Sequence, residues 1–135
     1  MRNLLLVTLC LFPVITYASD YPSQSDFYKK SENLEKYNQL KDAGMVSKQM
    51  QMYSKGCMSG AKTDADKKQC ECASEYIKTI SDKDLYYESY ISYKIFQDMV
   101  AAKNNGDKEK EAEIVNAKNS RNGLEKKILA HCSKK

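Results

Sequence analysis

Apolar residues recur every three or four positions along most of this chain, which is the spacing of one face of an α-helix. Few segments show the two-residue alternation that a half-buried strand needs. No proline follows Pro22, so no later helix is interrupted by a proline. The pattern predicts an all-α fold, a compact bundle of four to five helices.

Three helices are predicted in the first half. The first covers about residues 25–42 and stops before Gly44; the second covers about residues 45–59. The third opens at Thr63, where Asp66 three positions later gives a capping-box-like start. Their apolar faces contain Phe27, Leu34, Tyr37 and Leu40, then Val46, Met50, Tyr53 and Cys57, and finally Cys70, Ala73, Ile77 and Ile80.

Two longer helices are predicted in the second half. The fourth covers about residues 82–103, after a second start signal at Ser81, and ends at Asn104-Asn105-Gly106. It is apolar on most sides, which predicts a central position. The fifth covers about residues 107–132, although Arg121 and Gly123 weaken its middle. Its apolar side contains Ile114, Ala117, Leu124, Ile128 and Cys132.

The first 18 residues have the composition of a removable export signal. A basic start at Arg2 precedes an apolar stretch from Leu4 to Ile15, and small residues then suit cleavage before Ser19. We therefore expect a signal peptide at 1–18, a single helical domain at 19–135 and a periplasmic or secreted location. No second apolar stretch of membrane length follows, so no integral membrane segment is expected after signal removal.

The net charge is small. Removal of Arg2 with the signal leaves 21 basic and 18 acidic residues, or +3, mixed along the chain. A dedicated nucleic-acid binder should instead concentrate basic residues on one face. The charge pattern therefore argues against a nucleic-acid partner.

Four cysteines remain beyond the signal, and an oxidising compartment favours disulfides between them. Cys70 and Cys72 lie about 200° apart around a helix and should take different partners. A hairpin of the second and third helices favours Cys57–Cys70, with Cys72–Cys132 holding the C-terminal helix. The swapped pairing, Cys57–Cys72 with Cys70–Cys132, is the close alternative.

A metal site is the more specific alternative to disulfide bonding for these cysteines. Cys57, Cys70, Cys72, Cys132 and His131 include enough soft ligands for zinc or Cu(I), and nearby thioethers could contribute. Those thioethers belong to Met45, Met50, Met52 and Met58. However, Cys-x-Cys on a helix splays its sulfurs, and methionine at helical spacing usually packs a core. We therefore predict no metal site and no cofactor.

Catalytic motifs are absent from the sequence. It contains no glycine-rich phosphate loop, HExxH or GxSxG, and its single histidine, His131, falls at a predicted helix end. No catalytic residue is expected. Tyr86, Tyr90 and Tyr93 form a helical stripe that either packs internally or binds a partner, since tyrosine favours interfaces.

The segment from Gly56 to Ile80, together with Cys132, resembles a pattern in small uncharacterised exported bacterial proteins. In that pattern a cysteine is followed by a short loop, Cys-x-Cys, an amphipathic helix and a further cysteine near the C-terminus. The resemblance implies a periplasmic helical fold and no particular activity. Immunity proteins of type VI secretion systems are similar in size, export and helix content.

These observations lead to one hypothesis, one main alternative and a third class, a small enzyme of unrecognised type. The hypothesis is an exported non-enzymatic helical protein that binds a protein partner, in its narrower form an inhibitor or a type VI secretion immunity-like factor. The alternative is a periplasmic copper- or zinc-binding protein that uses cysteine and methionine ligands.

Overall fold

The computed structural model describes residues 21–133. The expected export signal, the cleavage site before Ser19 and the last two lysines lie outside these residues. Within the described range the helices are joined by short turns and there is no strand, which confirms the all-α prediction. Its helices are α1 (Gln24–Lys29), α2 (Ser31–Asp42), α3 (Met45–Gly60), α4 (Asp64–Lys78), α5 (Asp82–Asn104), α6 (Lys108–Ser120) and α7 (Leu124–Cys132).

The prediction of four to five helices is wrong, because two predicted helices are each divided. The first is broken at Lys30, which adopts an extended conformation with ψ of 117°. The side-chain amide of Asn33 donates to the carbonyl oxygen of Phe27 at 2.8 Å, satisfying an acceptor at the end of α1. The break separates α1 from α2 and leaves Phe27 completely buried.

The predicted fifth helix is also divided, between α6 and α7. Arg121 and Gly123 adopt extended conformations with ψ of 142° and 175°. The chain therefore changes direction: α6 packs against α5, whereas α7 packs against α4. The apolar residues predicted along one continuous helix are distributed between two helices with different neighbours.

Most predicted helix ends are confirmed. Gly44 and Gly106 take left-handed conformations at φ of 68° and 66°, which glycine adopts without a steric penalty. Thr63 and Asp66 form a reciprocal capping box at the start of α4. Ser81 accepts a hydrogen bond from the backbone N–H of Asp84 and caps α5.

The core is organised around the ring of Phe27. This ring lies 4.8 to 6.1 Å from four tyrosine rings, at distances suited to tilted and edge-on aromatic contacts. Ile77 of α4 and Ile91 of α5 are fully buried beside it in the same cluster. Leu34, predicted on the inner face of the first helix, is instead exposed. The ring contacts of Phe27 are with Tyr28, Tyr86, Tyr87 and Tyr90.

Two disulfides connect the helices in the pairing that the sequence favours. Cys57–Cys70 joins α3 to α4 with Cα atoms 5.6 Å apart, and Cys72–Cys132 joins α4 to α7 at 5.9 Å. Helix α4 thus carries both bonds, one on each side, as expected for residues about 200° apart on a helix. The prediction of two disulfides is confirmed.

Helix α5 is central only over its first half. Leu85, Tyr86, Tyr87 and Ile91 are buried, but most apolar residues beyond Ile91 are exposed or only partly buried. The reason is the position of α6, whose main interface is with α5 alone. The second half of α5 and the whole of α6 therefore form a helical hairpin, and the other helices pack against little of it. No helix between residues 21 and 133 has the length and apolar character needed to cross a bilayer.

Candidate partner-binding surface

The second half of α5 carries exposed aromatic side chains. Tyr90 is 41% exposed, Tyr93 61% and Phe96 63%. We call these three residues the aromatic stripe. Val100 extends the stripe by one further turn and is also exposed. Large apolar side chains grouped on one exposed helix face are typical of an interaction site rather than of the general protein surface.

Helical geometry places these residues together. Tyr90, Tyr93 and Phe96 follow at intervals of three, so they lie on one side of α5. The opposite side contains Ile91, which is fully buried, and Ile95, which packs against the core. Because these two sides of α5 point in opposite directions, only one can face the core. The isoleucines face the core, and the aromatic stripe faces outward.

Tyr86, the first member of the predicted tyrosine stripe, is a core residue. It is only 7% exposed, and its ring lies 5.6 Å from that of Tyr37. Burial, with a contribution from Tyr90, raises the pKa of the Tyr86 hydroxyl because the charged form loses hydration. Tyr86 is therefore unavailable to a partner, and the prediction of a binding role is corrected for this residue.

The described N-terminal residues fasten α5 beside the stripe. The Tyr21 hydroxyl donates to Oδ2 of Asp98 at 3.2 Å, and the Tyr87 hydroxyl donates to the Pro22 carbonyl at 2.8 Å. Asp98 also pairs with Lys94 on the same helix. These contacts fix α5 on both sides of the stripe, so the stripe lies on a restrained helix rather than on a loop.

A groove runs along another side of α5, and Phe96 lies on its border. It consists of two adjoining clefts of about 540 and 560 Å³. Both clefts are lined by Glu88 and Ser92 of α5 and by Leu124 and Glu125 of α7. The first cleft continues towards Phe96, Met99 and Leu129, and the second towards Met52 and Tyr53 of α3.

Glu88, which lines both clefts of this groove, has its carboxylate hydrogen-bonded within the protein. Oε2 of Glu88 accepts from the Arg121 guanidinium and from the backbone N–H of Leu124, each at 3.2 Å. The carboxylate thereby caps α7, whose own N-cap, Gly123, provides no side chain. Glu88 therefore positions α7, and one of the two groove walls with it.

The metal-binding alternative has less support from the arrangement of its candidate ligands. The sulfurs of Cys57, Cys70, Cys72 and Cys132 are joined in disulfides and are not thiolates. His131 stacks with Tyr76 at 4.8 Å between ring centroids. Between residues 21 and 133 no three His, Cys, Asp or Glu side chains are grouped to hold a metal ion. Met45, Met52 and Met58 are exposed, and Met50 packs against the core.

The sequence interpretation missed Phe96 and Val100 as surface residues and missed the groove entirely. One signal was present: the predicted fourth helix is apolar on nearly every side, so a small bundle of amphipathic helices could not bury all of it. Which side remains exposed depends on how α6 and α7 turn, and those turns were not predicted. The groove requires contacts between α3, α5 and α7 that periodicity does not encode.

The exposed aromatic stripe and the groove beside it can bury apolar surface against another molecule. No protein-family model matches this chain, and no curated protein or solved structure matches it either.

Proposed function

We propose that this chain is an exported, non-enzymatic helical protein that binds a protein partner through its aromatic stripe. The observation that carries the proposal is the exposure of Tyr90, Tyr93 and Phe96 on one side of α5. Aromatic residues are enriched among those that dominate the binding energy of protein interfaces. A partner that covers the stripe removes these rings from water.

The scaffold suits an inhibitor or an immunity factor of the type VI secretion kind. Cys57–Cys70 and Cys72–Cys132 hold three helices together, and Asp98 fastens α5 to the N-terminal residues. A restrained surface loses little conformational entropy on binding, which favours the tight association that inhibition requires.

The proposed location is the periplasm or the extracellular space. Two disulfides support it, since such bonds form and persist in oxidising compartments. The apolar stretch near the start of the sequence, with small residues before Ser19, supports export into such a compartment.

Site-specific photo-crosslinking tests the binding proposal. Benzoylphenylalanine replaces Tyr93 or, as a matched control, Met58, an exposed apolar residue at the end of α3. The full chain is produced in the cells that naturally make it and irradiated, and the adducts are identified by mass spectrometry. The proposal expects a specific protein adduct at Tyr93 that is absent at Met58. Identical adducts at both positions, or none at either, would contradict it.

A further inference from the structure

We propose that the groove between α3, α5 and α7 binds an amphipathic helix of the protein partner, with an acidic residue at one end of that helix. This inference rests on the proposed function and makes it more specific, since it names the structural element that the partner presents. The aromatic stripe would then contact the remainder of the partner from the adjoining side of α5.

The α5 wall of the groove has the residue spacing of a helix-packing seam. Successive members are separated by three, one, three, three, one and three residues, which is the heptad pattern of helices that pack side by side. At 1.5 Å per residue the seam is about 21 Å long, or four helical turns. Its members are Leu85, Glu88, Ser89, Ser92, Ile95, Phe96 and Met99.

The far half of this seam has little cover. Helix α7 packs on α4, which leaves a cleft where it passes α5. Ser92 is exposed at the centre of the seam, and its small side chain permits the close approach of another helix. Met52, 72% exposed, and Leu129, 52% exposed, project from the other two helices that line the groove. Apolar side chains thus surround a central position occupied by serine.

A helix is the peptide conformation that fits this groove. Strand addition requires the free edge of a sheet, and the part of the chain that the structure describes contains none. An amphipathic helix binds by laying its apolar face in a hydrophobic groove, and apolar side chains of α3, α5 and α7 line this one. Met52 adds a flexible thioether that adapts to the side chains of a partner.

The charges in the groove are unevenly distributed. Glu88 and Glu125 line both clefts, whereas the cations Lys118, Arg121 and Lys126 line only the cleft near Phe96. Glu88 balances Arg121, and Glu125 lies 3.5 Å from Lys118. The Lys126 ammonium group donates to the backbone carbonyl of Asn119 but has no opposing carboxylate among the lining residues. Charge complementarity therefore places an acidic side chain of the partner helix at this end of the groove.

Photo-crosslinking from inside the groove tests the inference. Benzoylphenylalanine at Ser92 or Leu129 is compared with the same group at Tyr93, which is adjacent to Ser92 in sequence but belongs to the aromatic stripe. We expect adducts from both groove positions to map to one amphipathic helical segment of the same protein that Tyr93 captures. Adducts at Tyr93 without adducts in the groove would overturn the inference and leave the proposed function intact. A groove adduct to a second copy of this chain would also overturn it, and no adduct at any position would contradict both proposals.

Titration with a synthetic peptide of the crosslinked segment adds a quantitative test. Ser92→Trp fills the groove and should weaken binding by about tenfold or more, whereas Ser59→Trp at the exposed end of α3 should leave it unchanged. Lys126→Glu should also weaken binding, and Lys62→Glu in the α3–α4 turn should not. Wild-type affinity in both groove variants would overturn the inference.

Discussion

Glu88 of α5 and Arg121 of the α6–α7 connection form a 3.2 Å ion pair whose side chains are only 11% and 15% exposed. The same carboxylate accepts the backbone N–H of Leu124, so one side chain joins the central helix to the start of α7. A mostly buried charge is costly unless it is paired and hydrogen-bonded, and here both conditions are met. This contact sets where α7 begins and therefore shapes the groove.

Replacement of Glu88 by alanine is expected to destabilise the protein strongly. The substitution leaves the Arg121 guanidinium without its partner in a mostly buried position and removes the cap of α7. Loss of one member of a buried pair costs about 3 kcal/mol or more in the free energy of unfolding, measured by urea denaturation. Glu113→Ala, which removes a half-exposed partner of Lys110, should cost less than about 1 kcal/mol. Equal losses in the two variants would show that the Glu88 contact does not hold α7.

The two disulfides are expected to contribute unequally to stability. Cys72–Cys132 spans 60 residues and Cys57–Cys70 spans 13. The chain-entropy model gives about 4 kcal/mol for the longer loop and about 3 kcal/mol for the shorter one. The double variant Cys72→Ser/Cys132→Ser should therefore unfold at a lower urea concentration than Cys57→Ser/Cys70→Ser, and helical content should survive in both. Midpoints equal to that of the wild type would mean that these bonds are not structural.

The helix ends that the sequence predicted correctly are those with local causes. Gly44 and Gly106 take a left-handed conformation, and Thr63 and Ser81 cap the helices that follow them. Each of these effects depends on residues within a few positions of one another. The disulfide pairing could be predicted for a related reason, since the angle between Cys70 and Cys72 is a property of one helix.

The features that the sequence did not predict depend on contacts between distant residues. The break at Lys30 accompanies the burial of Phe27 among tyrosines of α5, about 60 residues later. The start of α7 depends on Glu88, 36 positions before Leu124. Tyrosine spacing alone could not separate the buried Tyr86 from the exposed Tyr93, because both belong to the same regular pattern.

Acid is expected to weaken the contact between α1 and α5 through Asp84. Hydrogen bonds from the Gln24 amide and the Ser81 hydroxyl hold the pKa of the Asp84 carboxyl below its usual value. The unfolded chain therefore binds this proton more readily, and the stabilisation present above about pH 4 is lost as the pH falls through the lower native pKa. Between pH 7 and pH 3 the wild type should lose more unfolding free energy than Asp84→Asn.

Asp42→Asn provides the matched control for this pH dependence, since it removes the same charge from an exposed position at the end of α2. Its loss of unfolding free energy between the two pH values should equal that of the wild type. If Asp84→Asn loses as much unfolding free energy as the wild type and Asp42→Asn, the hydrogen bonds of Asp84 do not contribute to acid sensitivity.

The affinity of the crosslinked partner for a variant without the aromatic stripe tests the binding proposal most directly. Tyr93→Ser/Phe96→Ser removes two rings that are more than 60% exposed, so helical content and the unfolding midpoint should not change. Isothermal titration calorimetry should give a dissociation constant about a hundredfold or more above that of the wild type, as for the loss of two dominant interface residues. Met58→Ser should bind as the wild type does. Equal affinity for all three proteins would contradict the proposal that the aromatic stripe is the binding surface.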